Sequence, residues 1–211
     1  MLTLYFSPGA CSTASHIGLE EAGAEYQERP TLLGKGENRT ESYLKVNPRG
    51  KVPALDADGR VITENTAILT YIARRFPEKK LLPEDPVAQA QCISFMAWLS
   101  NSVHPNFTQF FKPEKFVSNE SSKDDAKQTG KQNFFTALKE VDSLLAGKQW
   151  VMGDQFTVAD CYAIVFYGWG VRAELPVKEL ANYTAWKDRM LARPAVRKVL
   201  ESEGNILVKG A

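Results

Sequence analysis

The residue pattern of this chain changes character once, at the proline-bounded stretch Leu81-Leu82-Pro83-Glu84-Asp85-Pro86. Before it, short runs of strand formers alternate with segments of helical spacing. After it no convincing strand pattern appears, and helical spacing returns around 87–111, 124–146, 158–172 and 180–192. The two halves demand different layers, so the reading is two domains, 1–80 and 87–211.

Within the first half, Leu2 to Phe6 is an apolar run closed by the turn residues Ser7, Pro8 and Gly9. A helix is expected from Cys11 or Ser12 to Ala22, with Gly23 as its stop. Tyr26 to Leu32 reads as a second strand and Glu41 to Val46 as a short helix. Asn47-Pro48-Arg49-Gly50 is turn chemistry, Val52 to Leu55 a strand containing Pro53, and Asp58-Gly59 a hairpin turn into Arg60 to Thr63. From Glu64 to Phe76 the apolar residues recur at helical spacing until Pro77 ends the run. The order βαβαββα is that of a thioredoxin-like domain. An all-helical domain follows, in which Thr157-Val158-Ala159-Asp160 spells a capping box.

Composition narrows the partners. Twenty-six Lys and Arg against 25 Asp and Glu leave a net charge of +1, which gives no drive toward nucleic acid or an anionic membrane. No stretch approaches the ~20 apolar residues of a membrane span, and the N-terminus carries no basic leader, so a cytoplasmic protein is expected. The three cysteines, Cys11, Cys92 and Cys161, fit neither a disulfide framework nor a metal site.

Chemistry is expected at the end of the first strand. Cys11 and Ser12 stand at the first turn of a helix, where unpaired amides and the helix dipole favour a thiolate over a thiol. The alternative is that Cys11 is a small buried filler. A partner cysteine three residues on is missing, which argues against a dithiol oxidoreductase. Val52-Pro53 is a candidate cis peptide whose exposed backbone can pair with the main chain of a bound peptide; the alternative is a trans proline at a strand edge. Glu64 and Asn65 precede a helix, where a ligand's amino-acid end can meet free amides and a carboxylate, unless Asn65 or Thr66 is only a cap. Lys35 lies in a Gly-flanked loop, suited to a carboxylate or simply solvated. His104, in Ser102-Val103-His104-Pro105, marks the end of the first long helix of the second half, as a structural residue or as one able to act on a thiol near neutrality. Phe107, Phe110, Phe111, Phe116, Phe166, Tyr167 and Trp169 supply enough apolar surface for a substrate pocket, though most such residues serve the core.

Taken together, LYFSPGACS, NPRGKVPAL, TENTAILTYIARRF and GDQFTVADCYA resemble, in order and spacing, the glutathione transferase superfamily and within it the bacterial beta class. The resemblance implies a homodimer that joins glutathione to small hydrophobic electrophiles in detoxification, with glutathione as co-substrate and no metal. It places Cys11 beside the sulfur, Lys35 on the glycyl carboxylate, Val52 and Pro53 on the cysteinyl main chain, Glu64 and Asn65 on the γ-glutamyl end, and His104 near the thiol. Tyr5 and Ser12 are further candidates for holding the thiolate. The chain departs from the class at Asn65, where Ser or Gly is common, and at Ala97, where some members carry Asn. Two other outcomes stand beside conjugation: glutathione-dependent disulfide or peroxide reduction through a Cys11 mixed disulfide, and a family member that only binds ligands.

Overall fold

The computed structural model describes residues 1–209; the last two residues of the expected second domain lie outside it. Four strands, β1 (Leu2–Phe6), β2 (Tyr26–Pro30), β3 (Ala54–Ala57) and β4 (Arg60–Thr63), form one sheet in the order β2-β1-β3-β4. β1 runs parallel to β2, while β3 is antiparallel to both β1 and β4. A parallel neighbour needs a crossover, and α1 (Thr13–Glu21) supplies it. The remaining helices of this half are α2 (Glu41–Val46) and α3 (Asn65–Arg75), which completes the expected βαβαββα order.

Side-chain alternation decides the faces of the sheet. Leu2, Leu4 and Phe6 point into the core, while Tyr5 faces the other way and meets Tyr43 of α2 edge-on at 5.8 Å. The third strand begins only at Ala54, two residues later than expected, because Pro53 has no N–H to place in a ladder.

Six further helices follow among the described residues: α4 (Pro86–Trp98), α5 (His104–Phe111), α6 (Lys123–Leu144), α7 (Val158–Arg172), α8 (Ala181–Leu191) and α9 (Pro194–Ser202). Asp85 caps α4 by accepting from the Ala88 amide at 2.8 Å, with Pro86 in the first turn where an N–H has no partner to lose. His104 does not end a helix, as the sequence suggested. The chain stays helical through a π turn, Leu99–Val103, and His104 opens α5. Pro105 lacks the N–H that a continuous ladder needs, and the wider winding just before it takes up the mismatch. The last helix, α9, has no counterpart in the sequence reading.

α1 and α7 are buried nearly all round: Thr13 to Leu19 of α1 and Val158 to Gly170 of α7 are shielded from water. The two pack on each other, and α1 also packs on α3 and α9. One apolar cluster therefore runs from Leu4 of the sheet through Ile17 and Ile68 to Phe166 and Trp186, across both halves of the chain. Burying each large apolar side chain of this kind stabilises the fold by roughly 1.5 to 3 kcal/mol. No described helix is long and apolar enough to cross a membrane.

Candidate active site

The segment between β1 and α1 is tied down by its own polar atoms. Ser12 Oγ accepts the Ser7 amide at 3.0 Å and donates to the Ser7 carbonyl at 3.1 Å, and Ser12 is fully buried. Its hydroxyl is thus occupied in closing the loop. Helical geometry in α1 starts at Thr13, one or two residues later than the sequence reading, since Cys11 and Ser12 belong to this turn. The backbone amides of Cys11 and Ser12 take no acceptor among the described residues.

Cys11 is half-buried at the mouth of the loop and its thiol donates to the Val52 carbonyl at 3.4 Å. The expected thiolate is not what the structure shows. Burial pushes the Cys11 thiol up to about 12, with Glu64 adding to the rise; its own amide, Asn65 and Lys51 oppose it only in part. Loss of water around Sγ and a nearby carboxylate outweigh the open amides at the start of α1. In the free protein Cys11 is a hydrogen-bond donor.

Across from the thiol, Val52-Pro53 is a cis peptide, as the sequence allowed. The Lys51 carbonyl just before it accepts from Tyr43 Oη at 2.6 Å and from Asn47 Nδ2 at 2.7 Å, which fixes the segment. The Val52 amide has no partner among the described residues. Val52 therefore offers one free donor and one weakly used acceptor, the pair an extended peptide needs.

Glu64 stands before α3 with φ 72° and ψ 125°, exposed and making no cap bond with its side chain. Positive φ in a non-glycine residue is a backbone outlier of the kind that clusters at binding sites. Asn65 is the first residue of the helix and not its cap. Its side chain is buried and spent within the protein: Oδ1 accepts from Ser15 Oγ at 2.7 Å and Nδ2 donates to the Cys11 carbonyl at 2.9 Å. Asn65 thus holds the Cys11 turn. Lys35 is exposed on the tight turn Leu33–Lys35 and forms no ion pair among the described residues.

The helical half supplies the opposite wall. His104 lies with its ring edge-on to Trp169 at 4.8 Å, and Trp169 stacks on Phe107 at 4.1 Å. Burial, then Lys51 and Lys115, push His104 down to about 4, so it is a neutral imidazole near pH 7. Arg172 covers the ring of Phe111 at 4.9 Å. Beside the loop, not over Cys11 itself, lies a cavity of 290 Å³ whose walls include Gly9, Ala10, Trp169, Arg172, Asn205 and Lys209. The geometry combines a short peptide edge, a thiol donor, free amides and an aromatic wall carrying cations.

Comparison with known proteins identifies the family. Residues 1–74 match the family model for the glutathione S-transferase N-terminal domain, and residues 95–194 that for its C-terminal domain. This chain belongs to the glutathione S-transferase family. It is 32% identical over 206 residues to glutathione S-transferase GstA of Escherichia coli O157:H7, covering 96% of this chain and 99% of that protein. Among solved structures, a Sulfitobacter glutathione transferase homolog with bound glutathione superposes with a TM-score of 0.91 at 31% identity, covering 98% and 99% of the two chains. The bacterial beta class enzyme of Sphingomonas chungbukensis gives a TM-score of 0.84 at 36% identity, covering 96% and 98%.

In this glutathione transferase the sequence reading missed three participants. Lys51 acts on both Cys11 and His104, and its only sequence signal was its place directly before Val52-Pro53. Trp169, read as one aromatic among several, donates its indole N–H to the Gly9 carbonyl at 3.1 Å and so touches the thiol loop. Glu203 reaches the same loop from the far end of the chain, and no local pattern announced it.

Proposed function

We propose that this glutathione transferase joins the sulfur of glutathione to small hydrophobic electrophiles, with domains 1–80 and 87–211 contributing one wall each. The observation that carries the reading is the open Val52 main chain next to a protonated Cys11 thiol. The cysteinyl residue of glutathione pairs with Val52 beside Pro53, Lys35 takes the glycyl carboxylate, and Glu64 with the α3 amides at Asn65 takes the γ-glutamyl end. That pose brings the glutathione sulfur to Cys11. The Cys11 S–H and the free amides of Cys11 and Ser12 then donate to the sulfur, which favours its ionised form.

His104, pushed down to about 4 by burial, is too weak a base to keep the thiol proton, which passes to water, and the ring joins the Phe107–Trp169 wall that holds the electrophile close. The sulfur attacks the electrophilic carbon, the C–S bond forms, and the leaving group departs with the former bonding pair. Tyr5, packed on Tyr43, and Ser12, closed on Ser7, support the loop from behind. A Cys11 mixed disulfide requires a Cys11 thiolate, which burial and Glu64 oppose. We assign the protein to the cytoplasm as a homodimer with a role in detoxification.

The test pairs calorimetry with kinetics. Wild-type protein is expected to bind glutathione and to conjugate chlorodinitrobenzene. Cys11→Ala should keep glutathione affinity within about threefold and lose about tenfold in kcat, the loss of one donor to the sulfur. Absence of glutathione binding would defeat the reading. Disulfide reduction that needs Cys11, without conjugation, would establish the reductase in its place.

A further inference from the structure

Glu203 follows α9 as its C-cap and is a charged side chain almost wholly shielded from water, at 1% exposure. It takes no part in the contacts proposed above for glutathione or the electrophile. Its Oε2 accepts from the Gly9 amide at 2.9 Å and from Thr13 Oγ1 at 2.6 Å, and its Oε1 lies 2.9 Å from His16 Nδ1. These partners flank Cys11 on both sides, 187 to 194 residues away in sequence. A buried carboxyl group persists only when its polar atoms are used, and here two donors, the Gly9 amide and the Thr13 hydroxyl, and the His16 ring use them.

The Gly9 peptide is held from both sides by the helical half: Glu203 takes its N–H and Trp169 donates to its carbonyl at 3.1 Å. Gly9 has φ 68°, the left-handed region that glycine adopts without strain but that its own flexibility does not enforce. The Ser7–Ala10 turn, closed by the Ala10 amide on the Ser7 carbonyl at 3.0 Å with Pro8 and Gly9 at its centre, sets this conformation, and the clamp ties that turn to the helical half. The far end of the clamp is rigid as well. His16 Nε2 faces Glu28 Oε1 at 3.4 Å, and the ring packs between Phe6 at 4.7 Å and Tyr26 at 5.9 Å.

We infer that Glu203 is a positioning residue for the thiol site: from the C-terminal end of the helical half it fixes the Gly9–Thr13 segment, and thereby the Cys11 thiol and the two free amides, at the place a glutathione sulfur occupies. The inference rests on the glutathione reading above. Glu203 touches neither glutathione nor electrophile and acts only through the loop. Loosening the clamp moves donors aimed at the sulfur while leaving the sites for the two ends of glutathione in place, so it acts on turnover and on thiol ionisation more than on affinity.

The test compares wild type with Glu203→Gln and with Thr13→Val, which removes one of the three bonds. Glutathione affinity is measured by calorimetry, kcat and its pH profile with chlorodinitrobenzene, and stability by thermal melting. For Glu203→Gln we expect kcat to fall about tenfold, glutathione affinity to stay within about threefold, and the acid limb of the kcat/KM profile to move up by about one pH unit. Thr13→Val should shift the same quantities in the same direction by less. A lowered melting temperature with kcat and the pH profile at wild-type values would overturn the inference and leave Glu203 as a stabilising contact only. Should Glu203→Gln fail to fold, Thr13→Val decides by the same criterion. If wild-type protein binds no glutathione, the functional reading fails alone; the clamp is then read from alkylation of Cys11 by iodoacetamide, faster in Thr13→Val if the loop is freed and unchanged if it is not.

Discussion

With its thiol pushed up to about 12 by burial and by Glu64, Cys11 keeps its proton across the neutral range. Iodoacetamide near pH 8 should therefore modify Cys11 at least about a hundredfold more slowly than it modifies free glutathione, as followed by peptide mass mapping. Rapid modification there would show that the open amides at the start of α1 win after all. His104 carries a second prediction. Its imidazole titrates near 4 in the folded protein against an ordinary 6.5. Between those values the unfolded chain binds a proton that the folded one refuses, so stability declines as pH falls through that window. Replacing His104 with Gln removes this contribution. Urea midpoints at about pH 7 and about pH 4.5 should then fall further for wild type than for His104→Gln, and equal falls would contradict the assignment.

At the scale of elements, the capping box at the start of α7 does more than end a helix. Asp160, fully buried, accepts from the Thr157 amide at 2.9 Å and Thr157 Oγ1 at 3.3 Å, and also from the Val151 amide at 2.9 Å and Trp186 Nε1 at 2.8 Å. Burial still pushes its carboxyl up to about 6, against the pull of those four donors. Asp160→Ala would strand them in a dry interior and remove the cap of the most buried helix. A loss of about 3 to 5 kcal/mol in urea unfolding is expected, and a loss below about 1 kcal/mol would mean that water or neighbours replace the carboxylate. The box itself was plain from Thr157 and Asp160, three apart. The partners from Val151 and Trp186 were not, because they are set by how α8 and the preceding turn fold back.

Across the whole molecule, the halves share one apolar cluster and are also joined by polar links. Arg193 grips Glu21 through two bonds at 2.7 and 2.6 Å, and Lys198 reaches Glu20 at 2.8 Å. Because the buried cluster is continuous, the chain should unfold as one cooperative unit. All four tryptophans, Trp98, Trp150, Trp169 and Trp186, lie in the helical half, so their fluorescence reports that half while far-UV circular dichroism reports both. Coincident urea transitions are the expected result; a tryptophan transition displaced from the backbone one would separate the halves. The same continuity explains how a residue at the end of α9 comes to hold a loop after β1.

Local pattern was enough for much of this architecture. Glu41–Val46 and Arg60–Thr63 form as read, Pro53 carries the cis bond, and the four strands of the sheet all lie before residue 64. These features depend on spacing, turn chemistry and proline's missing N–H, all written in neighbouring residues. α9 went unread although Pro194 in its first turn and Val196, Val199 and Leu200 at helical spacing mark it; packing of that apolar face against α1 and α8 holds this helix. The ionisation of Cys11 was read with the wrong sign. The start of a helix is visible in sequence, whereas the depth of burial around Sγ and the approach of Glu64 depend on chain segments about fifty residues away. The sequence by itself determined which groups are candidates for the site; the tertiary structure decided which of them are spent on contacts within the protein and which stay open, because desolvation and long-range hydrogen bonds exist only after the two halves have packed.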